Sequence, residues 1–333
     1  MFIAGILIGV FISTIGFSVV VRRNKGSDKR ASDTQLLKLA HSLDQNHPVH
    51  KALAFMAGRL EEKSNGSVCV EIYPNEQLGS ETDCIAQLRR GALAMVKTST
   101  APLESFLPEM AVFGVPYVFE GNEHCWKVLN GEIGKELLMA GERVGLRGLC
   151  FYDAGARSFY TVDKMMRSPE DLKGQKIRVQ QSETAMNMVE ALGGSPTPVP
   201  WGELYTALQQ RMVDGAENNP PSFYSNRHFE VCKYFSLDEH TRVPDVLLIS
   251  KNVWESMPAH VQQWVQEAAD ESSVHQRELW QTRTEEALTK VQLRGVEVLK
   301  PDKTRFVERV KQMHQGYEGT PVGDLMKRIG EVK

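Results

Sequence analysis

Cysteine is scarce in this sequence and gives no sign of pairing. Cys69, Cys84, Cys125, Cys150 and Cys232 are odd in number, widely spaced and free of any CxxC arrangement. That excludes a zinc ribbon or a dithiol redox site and leaves the five as small, mostly buried apolar residues. Nucleotide and nucleophile motifs are missing too. Gly141 to Gly148 (GERVGLRG) has the wrong spacing for a dinucleotide loop, and neither GxxxxGK[ST] nor GxSxG occurs. With a net charge of -3, a pI near 6.3 and no arginine patch interleaved with aromatics, a polyanion partner is not expected. His47 and His50 could face one way on a helix, but no carboxylate accompanies them at metal-ligand spacing. LDEHTR (Leu237 to Arg242) lacks a second histidine, so His240 reads as a polar loop residue. No metal and no cofactor is expected, and no repeat or low-complexity segment interrupts the chain.

What is present is an ordinary globular composition, 41% hydrophobic and 24% charged, over 333 residues, which is enough for two core-bearing domains. Phe2 to Val21 runs without a charge and is followed by Arg22, Arg23, Lys25, Lys29 and Arg30. A run of that length can cross a bilayer, as an anchor or a signal segment occupying residues 1–21. The basic residues on its C-terminal side run against the positive-inside rule for an exported body. Residues 22–33 read as a polar tether, with the folded protein beginning near Thr34.

From there, strand-like alternation recurs between helical stretches. A strand-like LLKLAHSL, a helix over His47 to Lys63 and a strand in SVCVEIYP make a βαβ unit. MVKTS (Met95 to Ser99), GLRGLCFYDAG (Gly145 to Gly155), GQKIRVQ (Gly174 to Gln180), DGAENN (Asp214 to Asn219) and DVLLIS (Asp245 to Ser250) continue the pattern of an α/β protein. Pro258 to Leu293 is the longest helical signal and ends at Gly295. At 1.5 Å per residue it would reach roughly 50 Å, longer than one small domain needs.

Two arginines stand at strand ends: Arg178 in KIRV, and Arg157 after a small-residue turn. Each alone is more often a surface ion-pair partner than a clamp. Yet guanidinium groups match carboxylates in a bidentate way, and α/β sheets place ligands at the carboxyl ends of strands, so the two together suggest an anion site. GAENNPPSFY (Gly215 to Tyr224) is either a rigid turn or a hydrogen-bonding wall for hydroxyls.

QLGSE, PEMAVFGVPYVF, DLKGQKIRVQ, ALGGSPTPVPWGELYTALQQ and VDGAENNPPSFY together resemble the solute-binding subunits of TRAP (tripartite ATP-independent periplasmic) transporters, over about Leu36 to Val332. The sugar-acid binders, those for uronates such as glucuronate and galacturonate, look nearest. The resemblance implies a two-lobed, periplasmic-binding-protein-like α/β fold around a ligand cleft. One lobe would hold residues 34–155 plus about 244–283, the other 156–243 plus about 284–333, and the long helix would span both. It further implies a binder rather than an enzyme, located in the periplasm or on the outer face of the cytoplasmic membrane. Its partners would be a small carboxylate and the membrane permease subunits. Carried over residue by residue, Arg178 matches the carboxylate clamp, Arg157 a supporting arginine, Asn218 a ligand amide and Trp201 an aromatic closing over the ligand. Glu81, Ser99, Asn46, His47 and Gln181 match wall positions that vary with substrate, and Glu217 with His240 matches a polar pair beside the site. Arg211 departs from the pattern and is expected on a turn away from ligand. The rivals are an enzyme acting on a similar acid and a ligand-sensing module.

Overall fold

The computed structural model describes residues 34–333; the uncharged leader and the tether lie outside the described residues. Among the described residues, eleven strands follow in chain order: β1 (Gln35–Ala40), β2 (Val68–Tyr73), β3 (Met95–Ser99), β4 (Leu146–Tyr152), β5 (Arg157–Thr161), β6 (Lys176–Val179), β7 (Ser195–Pro198), β8 (Gly215–Asn218), β9 (Tyr234–Thr241), β10 (Asp245–Ser250) and β11 (Glu297–Leu299). They form two sheets, ordered β2-β1-β3-β10-β4 and β11-β9-β5-β8-β6-β7. β1 runs parallel to β2 and β3, and the helix Pro48–Lys63 connects β1 to β2, as the βαβ reading expects. Each sheet with its helices forms one lobe.

The chain passes from the first sheet to the second at residues 153–156, returns at residues 242–244, and leaves again along the helix Ala259–Leu293. That helix is 35 residues long, about 52 Å at 1.5 Å per residue. Its buried face repeats at three- and four-residue spacing through Val261, Val265, Ala268, Ser272, Gln276 and Trp280, and two turns further on at Ala287 and Val291. The polar members of that face fasten the first crossover. Gln276 donates to the Asp153 carbonyl at 2.8 Å and accepts from its N–H at 2.7 Å. Asp153 in turn accepts from Gly155 N at 2.7 Å. Gly155 has φ +59° and lies where a Cβ would stand 3.0 Å from the Trp280 indole nitrogen, so the turn leaving the first lobe needs glycine twice over.

Four of the segments that sequence periodicity passed over are strands. β5 and β9 are central in the second sheet, and β7 and β11 are its edges. β9 overturns the loop reading of His240: YFSLDEHT is a strand buried along most of its length. Its polar members bond one another and their neighbours, which removes the cost of burying them. The two C-terminal helices pack into different cores. Phe306 and Val310 of the helix Thr304–Gln315 join the second lobe's core. The helix Pro321–Gly330, however, presents Val322, Leu325 and Ile329 to the first lobe's core, packing on the segments Pro108–Gly114 and Glu132–Ala140. Four of the five cysteines are buried, and burial pushes the Cys84 and Cys125 thiols up to about 12, so these two are inert packing groups.

Candidate functional site

The carboxyl ends of β3, β6 and β8 and the start of β10 converge on two joined spaces between the lobes, of about 390 and 210 Å³ including their open mouths. Larger open grooves lie along the long helix and between Glu104 and Tyr317. The interlobe space is the candidate site because buried cationic and amide side chains from both sheets meet there. Arg178, Gln180, Gln181, Glu81 and Trp201 line the smaller space; Arg157, Asn218, Ser99, His47, Lys97 and Asp245 line the larger; and Glu81, Gln180 and Trp201 border both.

Arg178 is 2% exposed. Its Nε donates to the Val199 carbonyl at 2.8 Å, its guanidinium carbon lies 5.6 Å from the Trp201 ring centroid, and its buried Nη1 has no partner in the protein. Burial pulls its pKa below the ordinary arginine value, yet a guanidinium stays protonated. The result is an uncompensated positive charge with donors to spare.

Arg157 is the opposite case. Its Nη2 donates to Glu217 Oε1 at 2.7 Å and to the Glu217 carbonyl at 2.8 Å, its Nε donates to Glu217 Oε2, and its Nη1 donates to Asn218 Oδ1 at 3.0 Å. It is neutralised and held in place, so its role here is support. The register explains why: Ser158 pairs with Asn218 and Phe159 with Glu217 on antiparallel β5 and β8, which sets the arginine diagonally against the acid. Asn218 Oδ1 also accepts from Asn219 N at 2.8 Å. With two donors on its oxygen, the amide orientation is fixed and its NH2 is left for a hydroxyl or carboxylate.

Glu217 and His240 line neither space; they stand behind Arg157. Burial alone would raise the Glu217 pKa, but the Arg157 guanidinium and His240 hold it at about 2. Burial likewise works against charge on His240, but Asp238 at 2.7 Å and Glu217 at 3.5 Å raise its pKa to about 9. The folded value lies above the ordinary 6.5, so the stability from this charge is complete below about pH 6.5 and is lost as pH rises through about 9. We expect denaturation curves to show the parent losing more stability between pH 7 and 9.5 than His240→Gln. Parallel profiles would refute a charged His240.

On the first lobe, the Ser80 capping box sets Glu81 at the start of the helix Glu81–Arg89. There Glu81 Oε1 accepts from Ser99 N at 2.9 Å and Thr98 Oγ1 at 3.2 Å. His47 caps the helix Pro48–Lys63, its Nδ1 accepting from Val49 N at 3.2 Å. Its Nε2–H therefore faces Ser222 Oγ at 3.2 Å across the cleft, and burial keeps the ring neutral. Ser99 reaches Gln180 at 3.3 Å and Thr82 reaches Gln181 at 3.0 Å, so Gln181 is a rim residue joined to the other lobe. Arg211, at φ +59°, pairs with Asp163 on the surface.

Asn46 is not in the site. The turn that makes His47 a cap points Asn46 outward, bonded to Asp44 at 2.8 and 2.9 Å and lining a separate groove with Lys51 and Tyr224. Sequence reasoning missed Lys97 and Asp245, paired at 2.9 Å with Lys97 1% exposed, and also Gln180. The available signal was a lysine in the middle of the apolar strand MVKTS. Among the described residues, no group of three or more His, Cys, Asp or Glu is placed to hold a metal ion.

Two carboxylates bind the lobes together away from the bottom of the cleft. Glu76 accepts from Gly202 N at 3.0 Å, and Glu104 accepts from Thr184 N at 3.1 Å. Glu104 lines no part of the ligand space. Because its contact exists only when the lobes are together, Glu104→Ala should weaken ligand binding roughly fivefold, the worth of about 1 kcal/mol for one such bond. An unchanged Kd by calorimetry would show that this contact does not share in closure.

The family described as bacterial extracellular solute-binding protein, family 7, matches residues 39–320. A TRAP periplasmic solute-binding protein from Bradyrhizobium sp. BTAi1, solved in complex with α/β-D-galacturonate, is 42% identical, with a TM-score of 0.86 over 89% of this chain and 99% of that one. One from Anaerococcus prevotii with bound α/β-D-glucuronate is 36% identical, with a TM-score of 0.86 over 90% and 99%. Among relatives known from sequence, the C4-dicarboxylate-binding periplasmic protein DctP of Rhodobacter capsulatus is 31% identical over 89% of this chain and 87% of its own. The protein therefore belongs to the family 7 extracellular solute-binding proteins, the binding subunits of TRAP transporters.

Proposed function

We propose that this protein captures a hexuronate, glucuronate or galacturonate, outside the cytoplasm and delivers it to a TRAP membrane permease. The observation that carries the reading is Arg178, buried, uncompensated and with a free Nη1 at one end of a cleft whose other cations, Arg157 and Lys97, are already paired and whose remaining walls offer amides, hydroxyls and carboxylates. Arg178 pairs with the ligand carboxylate, Trp201 covers the sugar, and Asn218, Glu81, Ser99, Gln181 and His47 read hydroxyls. Arg157, with Glu217 and His240 behind it, holds Asn218 in place. Structures of similar proteins with galacturonate and glucuronate bound support the ligand class. At micromolar affinity, about -8 kcal/mol, a hundredfold excess over Kd stabilises by about 2.7 kcal/mol and raises the melting temperature by several degrees. A thermal-shift screen against hexuronates tests this; no shift with any of them would overturn the reading. Turnover of a bound uronate under sustained NMR observation would revive the enzyme alternative.

The uncharged run from Phe2 to Val21 supports export of the body that follows it. Residues 1–40 fused to a reporter active only outside the cytoplasm should give activity, and an inactive, soluble fusion would refute that role.

A further inference from the structure

Charge at the site is nearly all spoken for before a ligand arrives. Arg157 is matched by Glu217, and His240 by Asp238. On the far side, Lys97 is matched by Asp245 at 2.9 Å. Strand pairing dictates this last match. Ser99 lies opposite Asp245 and Lys97 opposite Leu247 on antiparallel β3 and β10, which makes Lys97 and Asp245 diagonal neighbours on one face. Both line the larger space, along with Arg157, Asn218 and Ser99. What remains is Arg178, positive, against Glu81, and Glu76 at the margin of the Arg178 space. The uncommitted charge is thus one cation and at least one anion. A single ligand carboxylate can be placed on Arg178, but a second would meet only cations already neutralised, with Asp245 and Glu81 close by.

We propose that the buried Lys97–Asp245 pair sets the charge selectivity of this cleft. It offers a donor and an acceptor to the hydroxyl end of a sugar acid while withholding the free positive charge that a second carboxylate would need. Resting on the proposed capture of a sugar acid, this specifies its class as singly charged acids and excludes aldarates and other dicarboxylates. The physical cause is that a buried anion without a counter-charge costs far more than a hydroxyl making the same hydrogen bonds. The two residues act together. Lys97 alone would invite a second anion, and Asp245, 2.9 Å away, cancels the invitation while keeping the ammonium aimed.

Calorimetry with D-glucuronate, D-gluconate and D-glucarate, and with D-galacturonate and galactarate, tests the proposal, because each aldarate carries a second carboxylate where the uronate or aldonate does not. The parent should prefer the best monoacid over its aldarate by a hundredfold or more. Asp245→Asn keeps the size and frees the Lys97 charge, so the preference should shrink at least tenfold, mainly through tighter aldarate binding. Lys97→Met should weaken both classes without shrinking the preference. A parent that binds an aldarate within tenfold of its best monoacid overturns the proposal whether or not the variants fold. So does a circular-dichroism-verified Asp245→Asn that keeps the parental preference, since exclusion would then be steric. If gluconate binds and hexuronates do not, the hexuronate reading falls while the charge filter is still decided by gluconate against glucarate.

Discussion

Replacing Glu217 with alanine should destabilise the fold by about 3–5 kcal/mol, the cost of removing one partner of a buried ion pair. Its carboxylate takes two of the Arg157 donors, its carbonyl a third, and both side chains are almost wholly enclosed. Without the carboxylate, the guanidinium is buried with no counter-charge, and the two donors that met the carboxylate lose their acceptor while the backbone carbonyl and Asn218 keep theirs. His240 and Asp238 cannot substitute, because their charges already cancel each other. Urea denaturation measures the loss directly. Glu217→Gln should cost less, since an amide oxygen still accepts from Arg157, and the paired replacement Arg157→Met with Glu217→Leu should cost less than the sum of the single changes. A loss below about 1 kcal/mol for Glu217→Ala would mean that the pair is solvated and that the rigid mounting of Asn218 has another source.

The strands with clean alternation were legible from sequence, and so was the long helix, because apolar residues at helix spacing continue from Val261 to Val291. Arg178 lies near the carboxyl end of β6, the end where an α/β sheet offers its ligand site, whereas Arg157 opens β5 at its amino end. β9 was not legible. In a strand enclosed on both faces, Asp238 and His240 are acceptable only through Glu217 and β5, and those partners come from elsewhere in the chain. Lys97 was hidden for the same reason. β3 is a central strand, all of it buried, so its lysine must have a counter-charge, and Asp245 becomes its neighbour only when β10 inserts beside β3. Asn46 failed differently: its neighbour's capping bond turns it outward, and a wall position transferred by resemblance carries no such local geometry.

The affinity for the acid should depend on Arg178 more than on any other side chain, and on its shape as well as its charge. Arg178→Lys should weaken binding by about 2 kcal/mol or more and Arg178→Ala by more still, up to about 5 kcal/mol, the range for losing one partner of a buried charge pair. Nε is already committed to the Val199 carbonyl and the guanidinium carbon sits 5.6 Å from the Trp201 ring centroid, which holds the remaining donors as a fixed fork. A lysine could keep the charge but not the fork. The fold should nevertheless tolerate Arg178→Ala. Arg178 is enclosed, with burial opposing its charge, so the alanine variant removes an unpaired buried cation and one carbonyl bond, two effects of opposite sign. Its unfolding free energy should stay within about 1 kcal/mol of the parent, while calorimetry shows binding all but lost. If Arg178→Ala binds the acid as tightly as the parent, Arg178 is not the clamp. Arg157 would then have to surrender Glu217 to the ligand, an exchange that would appear as a large ligand-induced shift in the pKa of His240.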